Sequence, residues 1–220
     1  MGDETEAKFR VPDFAAVRRA LRKAGAGYLQ TVIQTDRYFD TPDRSLLKSD
    51  RGIRIRAVRC LRSAGHRPDP RPQLTYKGPG RKGGAAKVRR EIQAHVDSPE
   101  VVEKILETCG LEMALSVQKR RATYRLGRCT VELDELPLIG RFVEIEGPDE
   151  GAVLSAARRL GLTAEPIKDH YIDLLSRRCP RAGRACKRVH FDNCNAHCGS
   201  ARASSVPAQR SAPDSSVGGW

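Results

Sequence analysis

The sequence has no apolar run long enough to cross a membrane, and its first residues form a charged segment instead of the apolar core of a secretory signal. Aromatic residues make up only 5% of the 220 residues, and the single tryptophan is Trp220. With neither a membrane span nor an export signal in the sequence, we expect a cytoplasmic protein with no membrane partner.

The seven cysteines also lack the Cys-x-x-Cys spacing of common zinc modules. Cys60, Cys109 and Cys129 are predicted to be reduced and mostly buried thiols. The other four are near the carboxyl end: Cys179, Cys186, Cys194 and Cys198. A zinc site formed by these four is one interpretation, and a basic extension without metal is the one we favour.

Positive charge is abundant and unevenly distributed. The net charge is +13, and the residues from Ser176 onward contribute eight Lys or Arg against two acids, a net of +6 that leaves +7 for the preceding part. Residues 200–219 are rich in Ser, Ala, Pro and Gly, as disordered segments are. We therefore predict a folded domain over residues 1–176 and a basic, Cys-containing, disordered tail over residues 177–220. The basic domain suits a small anionic substrate, and nucleic acid is expected to bind only non-specifically, through the tail.

Charged side chains alternate with uncharged ones in several segments. Glu4, Glu6 and Lys8 occupy every second position near the amino end. If this segment is a strand, its charged side chains share one face. Two later segments repeat the pattern with the carboxylate pairs Glu132 with Asp134 and Glu144 with Glu146. One such strand is typical of a solvated sheet face, whereas several together favour a chemical role.

Cations alternate in the same way in other segments. They are Arg54, Arg56, Lys77, Arg89, Lys119 and Arg121. Carboxylates bind a hard divalent cation through oxygen, and Arg or Lys side chains bind phosphate oxygens that the metal leaves uncovered. The two sets together therefore predict a ligand that is a metal complex of a polyanion.

The remaining pattern predicts one domain of about eight strands and several helices. Strands are predicted near residues 3–11, 28–40, 52–60, 72–78, 86–96, 115–126, 128–135 and 140–147. Helices are predicted after Asp13 as an N-cap, after Ser98 with Pro99, from about Asp149, and around Tyr171.

A basic, glycine-rich loop spans Gly78–Gly84. It lacks the Walker order and no helix is predicted after it, so we do not interpret it as a P-loop. It is either a flap over phosphates or an exposed hairpin connection.

These motifs together resemble the CYTH superfamily, also called triphosphate tunnel metalloenzymes, which includes class IV adenylate cyclases, thiamine triphosphatases and inorganic triphosphatases. Glu4–Lys8 matches the Glu-x-Glu-x-Lys signature of that family. The likeness covers residues 2 to about 176 and continues, in the family's order, through Tyr38–Pro42, Arg54–Arg56, Thr75–Gly78, Glu132–Asp134, Phe142–Glu146 and Lys168–Tyr171. It implies an α+β fold in which an eight-stranded antiparallel β-barrel forms a tunnel with a charged interior and α-helices cover the outside.

The resemblance also implies residue roles. One or two Mg²⁺ or Mn²⁺ ions would be bound by Glu4, Glu6, Asp134, Glu144 and Glu146, whose face Glu132 shares. The triphosphate would be held by Lys8, Arg54, Arg56, Lys77, Arg89, Lys119, Arg121 and Lys168. The catalytic residues would be Glu4, Glu6 and Lys8.

The activity implied first is that of a class IV adenylate cyclase, which converts ATP to cyclic AMP and pyrophosphate. The alternative is an inorganic triphosphatase or another triphosphate hydrolase. A thiamine triphosphatase is less favoured, because the animal enzymes use a tryptophan against thiamine and the only one here is Trp220. A third hypothesis is a binding module that holds polyphosphate or RNA ends without turnover.

Overall fold

A computed structural model of the chain describes residues 2–65, 69–81, 84–179, 182 and 186–192. Its strands are β1 (Gly2–Val11), β2 (Gly27–Asp40), β3 (Gly52–Ser63), β4 (Gln73–Gly80), β5 (Lys87–His95), β6 (Glu112–Leu126), β7 (Cys129–Leu136), β8 (Gly140–Gly147) and β9 (Arg188–Val189). Its helices are α1 (Ala15–Lys23), α2 (Ser45–Lys48), α3 (Pro99–Thr108), α4 (Glu150–Arg159) and α5 (Tyr171–Arg178).

The first eight strands form one closed antiparallel barrel. Their order is β2-β3-β4-β5-β1-β8-β7-β6, and pairing between β2 and β6 closes the ring. The predicted α+β fold and its eight strands are therefore confirmed. Closure leaves none of these eight strands as a free sheet edge, which removes a common route to aggregation.

The apolar side chains of the alternating strands face outward and form the larger core. Ala7 and Phe9 of β1 and Val143 and Ile145 of β8 are buried there. Helices α1 and α4 cover this side of the barrel with Val17, Leu21, Val153, Ala156 and Ala157. Because the apolar residues are used on the outside, the charged residues between them must point into the barrel.

Helix starts follow the capping chemistry of the sequence. Ser98 and Asp149 are N-caps whose side chains accept hydrogen bonds from the backbone N–H of Val101 and Ala152, and Pro99 is the first residue of α3. The N-cap of α1 is Phe14 rather than Asp13, one residue later than predicted. Asp13 still caps the helix, because its Oδ1 accepts from the Ala15 N–H at 2.6 Å.

A second apolar cluster fills one end of the barrel. Helix α5 contributes Tyr171 and Leu175, which pack with Phe142, Leu115 and Val117. Phe142 shares the inward face of β8 with Glu144 and Glu146, so this end of the interior is apolar and the rest is charged.

The segment after α5 also contacts this end. Cys179, Ala182, Cys186 and Val189 are buried in the same cluster, and β9 pairs in parallel with β6 through Ser116 and Val117. We expected a solvated tail from residue 177, and these four residues of that segment instead pack on the barrel. The character of the chain from residue 193 onward, including Cys194 and Cys198, lies outside the described residues and stays a prediction.

Two smaller expectations concern cysteines and the glycine-rich loop. Cys60, Cys109 and Cys129 are free thiols, but only Cys129 is buried. Lys82 and Gly83 of the loop lie outside the described residues. Beyond them, the backbone N–H of Ala86 donates to Glu150 Oε1 at 3.1 Å, which attaches the following segment to the first turn of α4.

No helix within the described ranges has the length and apolar character needed to span a membrane.

The packing of residues 186–192 yields a stability prediction. Val189→Ala removes two methyl groups from a side chain with 0% exposure, so it should lower the free energy of unfolding by about 1.5–3 kcal/mol in urea denaturation. Val101→Ala is the matched control because Val101 is 58% exposed on α3, and it should change the free energy by less than about 0.5 kcal/mol. Equal effects of the two substitutions would show that β9 does not pack on the barrel in solution.

Candidate functional site

A cavity of about 520 Å³ occupies the barrel interior. It is lined by both charge sets that the alternation predicted. Eleven of the thirteen predicted site residues line it: Glu4, Glu6, Lys8, Arg54, Arg56, Lys77, Arg89, Lys119, Arg121, Glu144 and Glu146. The other two, Asp134 and Lys168, do not line this cavity. The sequence alternation therefore located the cavity, while the roles of these residues stay predictions.

Strand register brings the charged positions of β1 and β8 together. Lys8 is the cross-strand partner of Glu144, and Glu6 is the partner of Glu146. The Lys8 ammonium lies 3.4 Å from Glu144 Oε1, so these two charges neutralise each other. The second pair joins two carboxylates and therefore needs a cation from elsewhere.

The carboxylates near this second pair form an electronegative cluster, which we call the acid cluster: Glu4, Glu6 and Glu146. Burial and the neighbouring charges of Glu4 and Glu6 raise the pKa of Glu146. Burial also raises the pKa of Glu4, although the Lys77 ammonium, 2.8 Å from its Oε2, opposes that change. Among the described residues, no ion pair holds Glu6 or Glu146, and no three potential ligands are already arranged around a metal position.

The acid cluster has the chemistry of a hard-cation site. Three carboxylates on neighbouring strands repel one another, and a divalent cation bound by their oxygens would remove that repulsion. The donor set therefore fits Mg²⁺ or Mn²⁺. Glu144 is less available, because Lys8, Lys119 and Arg121 outweigh its burial and hold its pKa well below the usual range.

Asp134 was predicted as a metal ligand, and its position does not support that role. Its side chain has 0% exposure and does not line the cavity. Its carboxylate accepts from Arg121 Nε at 2.6 Å, Lys119 Nζ at 3.1 Å and the Tyr171 hydroxyl at 3.1 Å. Asp134 is thus surrounded by donors and fixes the cations that do line the cavity.

Lys168 was predicted to contact the triphosphate, but it lies outside the main cavity. It lines a small neighbouring cavity with Lys8 and His170. Its backbone carbonyl accepts a hydrogen bond from Lys87 Nζ at 3.4 Å. The segment before α5 therefore contributes to the site mainly through backbone position and His170.

Asp36 is a residue that positions two cations of the cavity wall, and the sequence analysis missed it. It lies on β2 directly opposite Arg56 and is 2% exposed. Its two carboxylate oxygens accept from Arg56 Nε at 2.6 Å and Arg56 Nη2 at 2.7 Å, and Arg54 Nη1 lies 3.6 Å from its Oδ2. The charges of both arginines outweigh burial and hold the pKa of Asp36 far below its usual range. A carboxylate at an inward position of β2 was the available signal.

Two further carboxylates line the cavity without having been assigned to the site. Glu91 contacts the Lys77 ammonium that also binds Glu4. Glu132 contacts Arg121, yet burial raises the pKa of Glu132 to about 7 and the nearby charges of Asp134 and Glu144 add to the rise. The Arg121 contact favours the ionised form of Glu132, and the crowded carboxylates favour the protonated one.

Part of the cavity wall has an excess of positive charge. Burial and the charges of Arg121 and Arg56 lower the pKa of Lys119 to about 8, although Asp134 opposes them. Among the described residues, the buried Nε atoms of Arg54 and Arg89 have no hydrogen-bond partner. Buried donors without acceptors are unfavourable, so this wall is suited to an anion that supplies oxygens.

The Asp36 contact yields a second prediction. Asp36→Asn breaks a buried, two-point ion pair and leaves two guanidinium groups short of negative charge, so it should lower the free energy of unfolding by about 3–5 kcal/mol. The matched control is Asp69→Asn, because Asp69 also accepts two hydrogen bonds from one guanidinium, that of Arg71, but on the exposed surface. That substitution should have little effect. Similar unfolding curves for the two variants would contradict the positioning role of Asp36.

The chain is thus a closed antiparallel barrel whose interior carries both cations and a cluster of carboxylates. The CYTH domain model matches residues 2–165 of this chain. The chain therefore belongs to the CYTH domain family.

Three relatives illustrate the range of similarity. Adenylate cyclase CyaB of Aeromonas hydrophila is 27% identical over an alignment of 175 residues, and the match covers 75% of this chain and 84% of that protein. The structure of the PH1012 protein of Pyrococcus horikoshii is 27% identical with a TM-score of 0.64, covering 78% of this chain and 98% of that one. The structure of HpAC1 from Hippeastrum, an adenylyl cyclase candidate with a dominant triphosphatase activity, is 18% identical with a TM-score of 0.59, covering 79% and 95%.

Proposed function

We propose that this chain is a divalent-metal-dependent enzyme that processes a triphosphate substrate inside the barrel. The observation that carries the proposal is the division of the cavity wall. One part has excess buried cations, including Lys119 and the Nε atoms of Arg54 and Arg89, which have no hydrogen-bond partner in the described part of the chain, and another part is the acid cluster. A metal–polyphosphate complex satisfies both parts at once, whereas a simple anion or a simple cation satisfies only one.

The cations would hold and orient the phosphate groups. Arg54 and Arg56 are fixed by Asp36, and Arg121 is fixed by Asp134, so their donors are positioned before a ligand arrives. Preorganised donors are effective in phosphoryl transfer, where the protein mainly aligns groups and neutralises developing charge.

Lys8 is suited to act at the leaving oxygen. Its ammonium donates to the Asp169 carbonyl at 3.1 Å, lies 3.4 Å from Glu144 and lies 4.0 Å from the centre of the Tyr171 ring. These contacts hold it at the cavity wall, where it would stabilise negative charge that builds up on a bridging oxygen. A bound Mg²⁺ or Mn²⁺ would shield the phosphate charges and polarise the phosphorus–oxygen bonds.

Two reactions are compatible with this wall. Conversion of ATP to cyclic AMP and pyrophosphate is supported by the likeness to adenylate cyclase CyaB and by Tyr38, Leu47 and Ile53, which give the same cavity a less polar side where a base could lie. Hydrolysis of a triphosphate is supported by the mostly charged lining and by the activity described for HpAC1. A binding module without turnover is the third outcome, and the acid cluster argues against it.

Product analysis distinguishes these outcomes. The purified chain would be incubated separately with ATP, tripolyphosphate and thiamine triphosphate, each with Mg²⁺ or Mn²⁺ and each with a chelator. Cyclic AMP with equimolar pyrophosphate identifies a cyclase, and orthophosphate from tripolyphosphate identifies a triphosphatase. Tight binding with no product from any substrate would contradict an enzyme.

The acid cluster gives a third prediction, with a readout that needs no substrate. Glu146→Gln removes one hard-cation ligand, so Mn²⁺ should bind about tenfold more weakly in calorimetry and turnover should fall. Without metal the variant should be at least as stable as the parent, because Glu4 and Glu6 disfavour the ionised form of Glu146. Added Mn²⁺ should then raise the melting temperature of the parent more than that of the variant.

Glu135→Gln is the matched control. Glu135 lies on β7 outside the cavity lining and pairs with Arg120 and Arg141 at the surface, so its loss should leave Mn²⁺ affinity unchanged. Equal Mn²⁺ affinity in the parent and Glu146→Gln would remove the acid cluster from the proposed metal site.

A further inference from the structure

The carboxylate of Asp50 is surrounded by donors beside the cavity. Asp50 lies between α2 and β3, and its Oδ2 accepts from the backbone N–H of Gly80 at 2.7 Å. Its Oδ1 lies 2.6 Å from His170 Nε2, 3.2 Å from Arg89 Nη2 and 3.5 Å from Lys87 Nζ. We call these four donor groups the cradle. One carboxylate therefore receives donors from β4, β5 and the N-terminal end of α5.

The cradle has further features of an anion site. A Cβ at Gly80 would lie 3.1 Å from Asp50 Oδ2 and 3.1 Å from Lys87 Cε, so the absence of a side chain permits the close approach of an acceptor. Arg89 is 2% exposed, and its Nε has no partner among the described residues. A buried guanidinium with an unused donor, beside two more donors and a backbone N–H, matches the chemistry that binds phosphate oxygens.

His170 completes the cradle. Its Nε2 lies 2.6 Å from Asp50 Oδ1, 2.8 Å from Lys87 Nζ and 3.1 Å from Arg89 Nη2. It donates to the carboxylate when it carries the proton and accepts from a cation when it does not. Burial lowers the pKa of His170, the hydrogen bond with Asp50 opposes that change, and the charges of Lys87 and Arg89 add to it. A neutral ring with its proton on Nε2 donates to a carboxylate and is equally suited to donate to a phosphate oxygen.

Asp50 itself is more exposed than the side chains of the donors around it. Its side chain is 43% exposed, whereas that of Arg89 is 2% exposed. Its backbone has a φ of 54°, in the left-handed region, which is uncommon for a residue other than glycine. Hydrogen bonds from His170 and Gly80, with the charges of Lys87 and Arg89, outweigh burial and keep the pKa of Asp50 far below its usual range. The Asp50 carboxylate thus occupies the cradle from its solvent-exposed side.

We propose that the cradle of Gly80 N–H, Lys87, Arg89 and His170 is a phosphate subsite whose resident anion is Asp50, and that the terminal phosphate of the polyphosphate substrate displaces Asp50 from it. The inference rests on the proposed function, since Arg89 and His170 also line the main cavity. Asp50 is then an internal competitor. It accepts hydrogen bonds from the buried donors when no ligand is bound, and it opposes the binding of the terminal phosphate.

The competition predicts that removal of the Asp50 charge improves anion binding. Asp50→Asn keeps the shape and one acceptor oxygen but removes the charge. The probe is tripolyphosphate in chelator and low salt, titrated calorimetrically so that neither metal nor turnover is needed. We expect its Kd to fall by about three- to tenfold relative to the parent. An equal or larger Kd in the variant would overturn the proposal, because it would mean that Asp50 organises the donors instead of competing for them.

Two controls complete the experiment. Asp43→Asn removes the same charge from an exposed position at the start of the α2 segment, where its carboxylate lies 4.0 Å from Lys48, and it should change the Kd by less than about twofold. An equal gain in affinity in this variant would overturn the subsite in favour of a general charge effect.

The second control combines Asp50→Asn with Lys87→Met. This double variant should not show the lower Kd of Asp50→Asn, and a Kd as low as that of Asp50→Asn would also overturn the proposal. Absence of turnover would contradict the proposed enzyme while leaving this order of Kd values intact.

Discussion

The buried ion pairs inside the barrel are the interactions on which the rest of the structure depends. A closed barrel of eight strands has an interior that must be filled or hydrated, and here most inward positions are charged. Unpaired charges would make such an interior unstable. Asp36 with Arg56, and Asp134 with Arg121 and Lys119, provide the pairing. Each of these contacts joins neighbouring strands, so the same interactions that neutralise charge also fix the direction of the cations.

The outer layer follows from this use of the interior. Since the inner face is polar, the apolar side chains of the strands lie outside and are covered by α1 and α4. The apolar cluster that includes Phe142, Tyr171 and Leu175 fills one end of the barrel, and Val189 extends it. This arrangement leaves a polar cavity with one apolar end and places the start of α5, with His170, at the cavity wall.

Much of this could be predicted from the sequence because alternation has a direct geometric meaning. Residues such as Glu4, Glu6 and Lys8 share a face in any strand. The family resemblance predicts that the strands close into a barrel, with this face on the inside. The partners Asp36 and Asp50 could not be assigned in the same way. Their roles depend on register across β2 and β3 and on the approach of Gly80 and His170, which are distant in sequence. Asp134, predicted as a metal ligand, is surrounded by donors, because parity gives a side chain's face but not its depth or its partners.

Short strands and helices were the other part of the fold that the sequence analysis did not predict. Strand β9 has two residues and carries no alternation, so its pairing with β6 follows from the burial of Val189 and not from a sequence pattern. Helix α2 has only four residues, and its first turn is held by the Asp40 carboxylate, which accepts from the backbone N–H of Leu46 at 2.9 Å. This contact fixes the segment that carries Asp50, and its local sequence gave no sign of that role.

A crystal structure of the chain with tripolyphosphate tests the central claim most directly, namely that the paired cations inside the barrel bind a polyphosphate. We expect the phosphate chain inside the barrel, with oxygens about 2.7–3.2 Å from the guanidinium groups of Arg54 and Arg121 and with Asp36 and Asp134 still bound to their arginines. Tripolyphosphate bound only on the outer surface, with the cavity filled by water, would contradict the account.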